Sequence, residues 1–332
     1  MNIFTKKNKY PAIRTIGIGL TNKCNLNCEH CYSRRMAGNE LNVDQIKKIL
    51  ATFPNLEFVN FGTGESILNQ NFPEIVNLFH HKGIKMAITS NSLSINNMSN
   101  DLLSKFTDVD LSLDFPKADL HDRWRKKSGL FKDTLKAINK CKKYNVNVSI
   151  VSVLMANNFE YFPGFKKILD KYDINLRINI YKPVNKDQFV PTYDQFWHAI
   201  KDMSKNFEMV SCSEPILALI WRGVRGGTKC GNSVRIHPDG EISSCVYVKN
   251  GESNTKFNHD KKTLPKLCSK CKFSKRCMGG CHGRRIAENR KYLPDSYCPF
   301  LYGKDKPIIK FKRYKKAKNL IHSNYLCTII LR

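Results

Sequence analysis

The chain has 332 residues, 41% of them hydrophobic, and a formal net charge of +28 at pH 7. That length suits one large domain with a small one, or two ordinary ones, and the apolar fraction is enough to bury a core. No run approaches the roughly 18 uninterrupted apolar residues of a membrane span, so no membrane partner is expected. The N-terminal MNIFTKKNKYPAIR lacks the apolar stretch of a secretory signal, and a cytoplasmic location is the expectation.

The 13 cysteines are unevenly spread: three lie near the N-terminus and eight between Cys212 and Cys298. Reduced intracellular thiols in clusters read as metal ligands or redox groups rather than disulfides. The lysines form no single patch before the tail. The positive charge therefore reads as background composition, and nucleic acid is not expected as a partner.

Along the chain, short runs rich in Val, Ile and Phe alternate with segments of helical period. The first run is RTIGIGL (14–20), followed at once by Cys24, Cys28 and Cys31. Val43, Ile46, Ile49, Leu50 and Phe53 then share a helix face, with Asn42 as N-cap. LEFVNFG (56–62) leads into FGTGES, and KMAITSN (85–91) ends in Thr89, Ser90 and Asn91. The segment from about 92 to 107 is weak. DVDLSLD (108–114) puts Ser112 and Asp114 two apart, hence on one face; such a polar pair needs partners, either ribose hydroxyls or the following turn. HDRWRKKSG (121–129) comes next, then a stripe of Phe131, Leu135, Ile138 and Cys141, with Cys141 read as core. NVSIVSVLM (147–155) and NLRINIY (175–181) are the remaining strands, and helical stripes run over 162–172 and 193–207.

Six strand–helix alternations predict an α/β fold with a parallel sheet, curled or flat, whose chemistry belongs at the carboxyl ends of the strands. The three-cysteine loop sits at such an end. After about residue 210 the texture becomes dense in Cys, Gly and Pro. VRIHPDGEISSCVYV (234–248) predicts two strands around Pro-Asp-Gly. A region this poor in apolar stripes is expected to rely on metal. The ending SNYLCTIILR receives no assignment, and Cys327 no role.

Three thiolates do not close a tetrahedral zinc site; His30 or a distant Cys would have to complete a zinc knuckle. Cys-x3-Cys-x2-Cys followed by the aromatic Tyr32 resembles the signature of the radical S-adenosylmethionine (SAM) superfamily. The resemblance implies that Cys24, Cys28 and Cys31 hold three irons of a [4Fe-4S] cluster and that SAM chelates the fourth. FGTGES stands where the family has Gly-Gly-Glu-Pro. Gly64 and Glu65 are kept, to grip the SAM ammonium, while Thr63 and Ser66 depart from the pattern. By the same resemblance Asn91, Ser112 and Asp114 face the cofactor, and Arg125, rather than Arg123, pairs with its carboxylate.

The series Cys230-x9-Gly240-x4-Cys245, Cys268-x2-Cys271-x5-Cys277-x3-Cys281, then Cys298, resembles the SPASM extension of a subgroup of these enzymes. It implies two auxiliary clusters: Cys230, Cys245 and Cys281 on the first, and Cys268, Cys271, Cys277 and Cys298 on the second. The first then either has an open iron or takes Cys212 as fourth ligand. Two structural zinc sites are the alternative for the whole field.

The fold so implied is a partial (β/α)6 TIM-like barrel over 14–209, after an N-terminal segment 1–13. A small Cys-rich SPASM domain with a β-hairpin covers 210–303, and a basic tail 304–332. The implied enzyme cleaves SAM to a 5′-deoxyadenosyl radical that abstracts a substrate hydrogen, fed by a low-potential donor of flavodoxin or ferredoxin type. A peptide or small-protein substrate leads, with oxidative modification as the outcome. Formylglycine formation is disfavoured because Val246 stands where those enzymes have Asp. With about a dozen residues before the first strand, a leader peptide is expected to be bound by other parts of the chain. Tetrapyrrole or cofactor tailoring is the alternative on this scaffold, and a zinc nucleic-acid-binding protein the alternative of another class.

Overall fold

The structure, a computed structural model, describes residues 10–35, 38–183, 187–221, 234–247, 264–301, 307, 309–315 and 327–332. In chain order the elements are β1 (Thr15–Ile18), α1 (Val43–Thr52), β2 (Phe58–Phe61), α2 (Phe72–His81), β3 (Lys85–Ser90), α3 (Leu93–Asn97), α4 (Asn100–Ser104) and β4 (Asp108–Ser112). Then come α5 (Ala118–Arg125), α6 (Leu130–Lys143), β5 (Asn147–Leu154), α7 (Phe165–Tyr172), β6 (Asn175–Ile180), α8 (Tyr193–Asn206) and β7 (Glu208–Cys212). The remainder is β8 (Val234–Ile236), β9 (Ile242–Ser243), α9 (Ser274–Cys277), α10 (His282–Ala287), β10 (Lys312–Arg313) and β11 (Thr328–Leu331). All six predicted strand runs contain a strand, and the weak stretch 92–107 holds two five-residue helices.

Two compact units result. The first comprises Met1–Leu113, Lys117–Ile150 and Asn232–Thr255. Its strands lie in the order β9-β8-β1-β2-β3-β4. Pairing is parallel from β8 to β4, with Ile16 opposite Val234 and Val59, and antiparallel between β8 and β9. Strands buried on both faces read as continuous apolar runs, which is how the sequence betrays them. Phe61 packs edge-on against Phe72, Phe79 and Phe106, tying β2 to α2. Asn42 caps α1 as the sequence predicts, in a capping box: its Oδ1 accepts from Gln45 N and its own N donates to Gln45 Oε1, both 2.9 Å. Cys141 is fully buried on α6, in the core role read for it.

The Pro-Asp-Gly hairpin forms with Gly240 at φ 80°, donating to His237 O at 2.9 Å. Through β8 it extends the open edge of β1 and so belongs to the first unit.

The second unit comprises Asp114–Pro116, Val151–Gly231 and Lys256–Arg332. Its strand order is β5-β6-β11-β7-β10. The unassigned C-terminal run is β11, a wholly buried strand antiparallel to β6 and β7, with Ile329 opposite both Ile178 and Cys212. Trp197 on α8 donates to Tyr297 O at 3.1 Å, and Phe196 stacks on the Tyr297 ring at 4.1 Å. These contacts fasten the helix to the Cys-rich segment of the same unit.

Candidate active site

The loop after β1 is fixed by backbone before any thiol matters. Gly19 N donates to Ile236 O at 2.8 Å, and Lys23 N to Thr21 Oγ1 at 3.1 Å. Gly64 presses against this loop. A Cβ on it would come within 2.5–2.7 Å of Lys23 O, Asn22 C and Thr21 O, and its φ is +57°. Only glycine satisfies both demands. Glu65 N completes the clasp with a 2.7 Å bond to Lys23 O.

Around that clasp the first unit brings together Cys24, Cys28, Cys31, Glu65, Asn91 and Arg125. Leu26 N donates to Cys24 Sγ at 3.5 Å, and the Cys31 thiol lies 3.0 Å from Ser33 Oγ. Withdrawal of the Cys24 thiol from water pushes its pKa up, and the nearby charges of Glu65, Cys28 and Cys31 push the same way. Such a crowd of potential anions asks for a cation. Asn91 Nδ2 donates to Asn25 Oδ1 at 2.6 Å and lies 3.7 Å from Cys24 Sγ, while its backbone N donates to Glu65 Oε2 at 3.0 Å. Arg125 ends α5 buried, with Nη1 3.8 Å from Cys28 Sγ. Arg123, by contrast, points to solvent against Asp119.

Glu65 is 1% exposed. Its Oε1 accepts from Ser90 Oγ at 2.8 Å. Burial raises its pKa to about 7, against the lowering effect of hydrogen bonds from Asn91, Ser90 and Ser94 and of the Arg125 charge. Both carboxylate oxygens are thus already engaged by the chain, so a bound ammonium would share them. Thr63 takes the position of the family's first glycine with φ +76°. Its Oγ1 accepts from buried Arg235 Nη2 and sits 3.2 Å from the Tyr32 hydroxyl. Tyr32 therefore touches the strained turn, and its ring packs on Tyr247 at 5.5 Å.

Ser112 closes β4 half-buried. Asp114 falls in the second unit, fully buried, where Oδ1 accepts from Val153 N at 3.2 Å and its carbonyl from Asn158 Nδ2 at 3.0 Å. These bonds tie Asp114 to β5 and to the segment just after it. Two contacts at the site escaped sequence reasoning, which weighed His30 only as a zinc ligand and did not single out Arg235. His30, inside the cysteine motif, stacks on Trp124 of α5 at 5.2 Å and 14°. Arg235 comes from the hairpin. The aromatic character of His30 beside Cys31 was the one signal in the sequence for the first.

In the second unit Cys268, Cys271, Cys277 and Cys298 gather. The Cys268 thiol is pushed up to about 12 by burial and by the charges of Cys277, Cys298 and Cys271. Burial likewise lifts Cys277 to about 11, with Gly279 and Gly280 amides opposing. Cys281 is 1% exposed and hydrogen-bonded to the Cys327 thiol. Cys245 follows the hairpin in the first unit, and Cys230 lies outside the described residues. Cys212 ends β7, buried, with Sγ 4.0 Å from Glu214 O. All twelve cysteines among the described residues are free thiols, and no three His, Cys, Asp or Glu groups among those residues converge closely enough to hold a single metal ion. A four-iron cube asks instead for thiolates spread over its corners. The donor set of the loop fits it: three thiols, three N–H donors within 4 Å of sulfur, and a glycine clasp that a side chain would fill.

A thiol triad placed by a parallel α/β unit at the end of its first strand fits the radical SAM arrangement that the sequence resembles. Residues 18–168 match the Radical SAM superfamily. The chain is similar to the antilisterial bacteriocin subtilosin biosynthesis protein AlbA of Bacillus subtilis: 25% identical over 327 residues, spanning 88% of this chain and 72% of that one. It is 23% identical to the mycofactocin maturase MftC of Mycolicibacterium smegmatis over 342 residues, covering 92% and 86%. Among solved structures, anSMEcpe with bound AdoMet and Cp18Cys peptide superposes with a TM-score of 0.65 at 17% identity, over 87% of this chain and 94% of that one. SuiB of Streptococcus suis bound to S-adenosylmethionine gives 0.66 at 15%, over 86% and 77%. Both share the α/β fold of this chain.

Proposed function

We propose that this radical SAM enzyme carries out oxidative modification of a ribosomally made peptide or small protein. One observation carries the reading. Three thiols, Glu65, Asn91 and Arg125 converge on one loop at the carboxyl ends of β1 to β3 of the first unit. When bound, the cluster and SAM supply a 5′-deoxyadenosyl radical able to remove a hydrogen atom from an unactivated carbon. The chain's own residues bind and orient. Cys24, Cys28 and Cys31 hold iron. Arg125, charged at any pH of interest, offers its guanidinium to the SAM carboxylate. A cationic ammonium beside Glu65 would favour the ionised carboxylate that burial disfavours. Gly64 holds the turn against the loop, and Tyr32 steadies Thr63 beside it.

The assignment of substrate class rests on the relatives. AlbA is named for subtilosin biosynthesis, MftC as a maturase, and SuiB has been solved bound to precursor peptide SuiA. The two auxiliary clusters belong to this proposal: Cys268, Cys271, Cys277 and Cys298 on one, Cys230, Cys245 and Cys281 on the other. So does an electron donor of flavodoxin or ferredoxin type, and a cytoplasmic setting; no helix among the described residues is long and apolar enough to cross a membrane.

The test is anaerobic reconstitution, chemical reduction and a search for 5′-deoxyadenosine from SAM. Wild type should form it, and Cys28→Ala should form none. Fully iron-loaded wild type without product would overturn the reading.

A further inference from the structure

The turn that presents Gly64 and Glu65 begins on a residue ill suited to it: Thr63, β-branched, at φ +76°. We propose that Arg235, on β8 of the hairpin, is a positioning residue for SAM. By holding the Thr63 hydroxyl it keeps the turn left-handed, and so keeps Glu65 placed for the SAM ammonium. This role rests on the radical SAM reading above, and every residue it uses belongs to the first unit.

Strand register brings the two side chains together. β8 pairs with β1 and β1 with β2, so Arg235 stands opposite Gly17, and Gly17 opposite Asn60. Paired residues share a sheet face, and Gly17 puts no side chain between Arg235 and the end of β2. A Cβ on Gly62 would lie 3.3 Å from Arg235 Nη2 and 3.7 Å from Nη1, so the guanidinium rests against the backbone that enters the turn. There Nη2 donates to Thr63 Oγ1. A Cβ on Gly19 would lie 3.0 Å from Thr63 Cβ and Oγ1 and 3.1 Å from Pro238 Cδ. Thr63 is thus packed between the loop after β1 and the hairpin. It is 5% exposed and Arg235 is 3% exposed, so water scarcely competes for the bond between them. Arginine also stays charged at any pH of interest, which keeps the donor constant.

The consequence is a shift in population. Without the bond from Arg235, Thr63 relaxes toward negative φ. Gly64 then leaves its clasp on the cysteine loop, and Glu65 leaves Asn91 N. SAM binds only the fraction of molecules whose turn is intact, and its apparent dissociation constant rises by the inverse of that fraction. Bound SAM selects the intact turn, so turnover at saturating SAM is nearly unchanged.

The experiment uses the full chain, reconstituted anaerobically, with SAM binding read by equilibrium dialysis without reductant so that nothing is cleaved. Arg235→Met should raise the dissociation constant about tenfold, the effect of a competent fraction of about one tenth. With reductant present, KM for SAM should rise in step while kcat for 5′-deoxyadenosine stays within about threefold. Thr63→Gly takes up left-handed backbone unaided, so adding Arg235→Met to it should change the dissociation constant by less than about twofold. Urea unfolding of the metal-free chain should show the same coupling, with Arg235→Met lowering the midpoint more beside Thr63 than in the Thr63→Gly chain. If circular dichroism finds Arg235→Met unfolded, Arg235→Lys, which keeps the charge but not the forked reach, is read in the same comparison.

The proposal is overturned if the Arg235 variant binds SAM as wild type does, or if its loss of affinity is undiminished in the Thr63→Gly chain. Iron-loaded wild type that binds no SAM would overturn the radical SAM reading itself, and this role with it. That result is distinct from a wild type that binds SAM and whose Arg235 is dispensable.

Discussion

Thr63 is a β-branched residue at φ +76°, 5% exposed, where left-handed backbone costs about 1–2 kcal/mol. Its hydroxyl offsets that cost by accepting from the buried Arg235 guanidinium and meeting the Tyr32 hydroxyl. Two substitutions separate the terms. Thr63→Ala keeps the strained backbone and strips an acceptor from a buried cation, a loss of about 1–3 kcal/mol. Thr63→Gly loses the same acceptor but relieves the strain. Urea unfolding of the two variants should therefore find Gly more stable than Ala by about 1 kcal/mol; equal midpoints would mean that the turn stores no strain.

At this scale the sequence was legible where chemistry is encoded by spacing. The cysteine triad, Gly64-Glu65 and the choice of Arg125 over Arg123 came from local patterns, and the structure sets Arg125 at Cys28 and Arg123 in solvent. Arg235 on Thr63 and His30 on Trp124 were not legible. Each joins segments distant in the chain, and no periodicity reports such a pairing. A role for Glu65 in binding gives a second residue-scale outcome. Glu65→Gln keeps the shape but loses the charge, and should weaken SAM binding about tenfold or more in equilibrium titration of the reconstituted enzyme, since a hydrogen bond to a charged group contributes about 1.5–3 kcal/mol.

Elements in this chain are held in place by polar groups as much as by apolar faces. In the hairpin, His237 Nε2 lies 2.8 Å from Ser243 Oγ, which itself donates to Cys245 O at 2.9 Å. The hydroxyl proton is committed to the carbonyl, so His237 donates from Nε2 as a neutral ring. Burial, with Arg235 beside it, lowers its pKa to about 4 against an ordinary 6.5, and Asp239 opposes weakly. The unfolded chain therefore takes up this proton at higher pH than the folded one. The resulting stability, about 3 kcal/mol at most, is fully present above pH 6.5 and is lost as pH falls toward 4. Urea unfolding at pH 7.5, 6, 5 and 4 should show a steeper decline for wild type than for His237→Gln, a difference approaching one proton; parallel curves would refute the buried neutral histidine.

In the second unit, Arg284 of α10 bonds Glu214, just past β7, at 2.7 Å and Asp295 at 2.7 and 3.0 Å, every side chain 0% exposed. Asp295 in turn accepts from Cys281 N at 2.7 Å, and the guanidinium lies 4.8 Å from the Tyr297 ring centroid. Gly280 is required here, because a Cβ would meet Asp295 at 2.2–2.6 Å. The strands and long helices were legible from apolar period, whereas this charged knot was not, because isolated Arg, Glu and Asp read as surface residues. β11 was hidden for a related reason: its few apolar residues after a lysine-rich stretch gave too short a signal for assignment.

For the molecule as a whole, the decisive feature is that the N-terminal thiol triad and the set Cys268, Cys271, Cys277 and Cys298 belong to different compact units. Cys24 feels Cys28 and Cys31; Cys268 feels Cys271, Cys277 and Cys298. Burial first, and then the neighbouring charges, thiols among them, push the Cys24 and Cys268 thiols up in the metal-free chain, and iron binding reverses this by releasing protons and supplying positive charge. Each set therefore carries its own driving force for loading. Fully reconstituted wild type should hold about twelve irons on three four-iron clusters. Changing Cys268, Cys271, Cys277 and Cys298 together to Ala should remove about four irons yet leave 5′-deoxyadenosine formation from SAM within about threefold of wild type, because Glu65, Asn91 and Arg125 stay in the first unit with their loop. Oxidised peptide product should be lost in the same variant, since an electron acceptor has gone. Iron analysis, chromatography of deoxyadenosine and mass spectrometry of the peptide read the three quantities separately. Loss of SAM cleavage from this variant, with the first unit still folded and holding its own iron, would mean that the second thiol set supports the radical step itself rather than the later oxidation of the peptide.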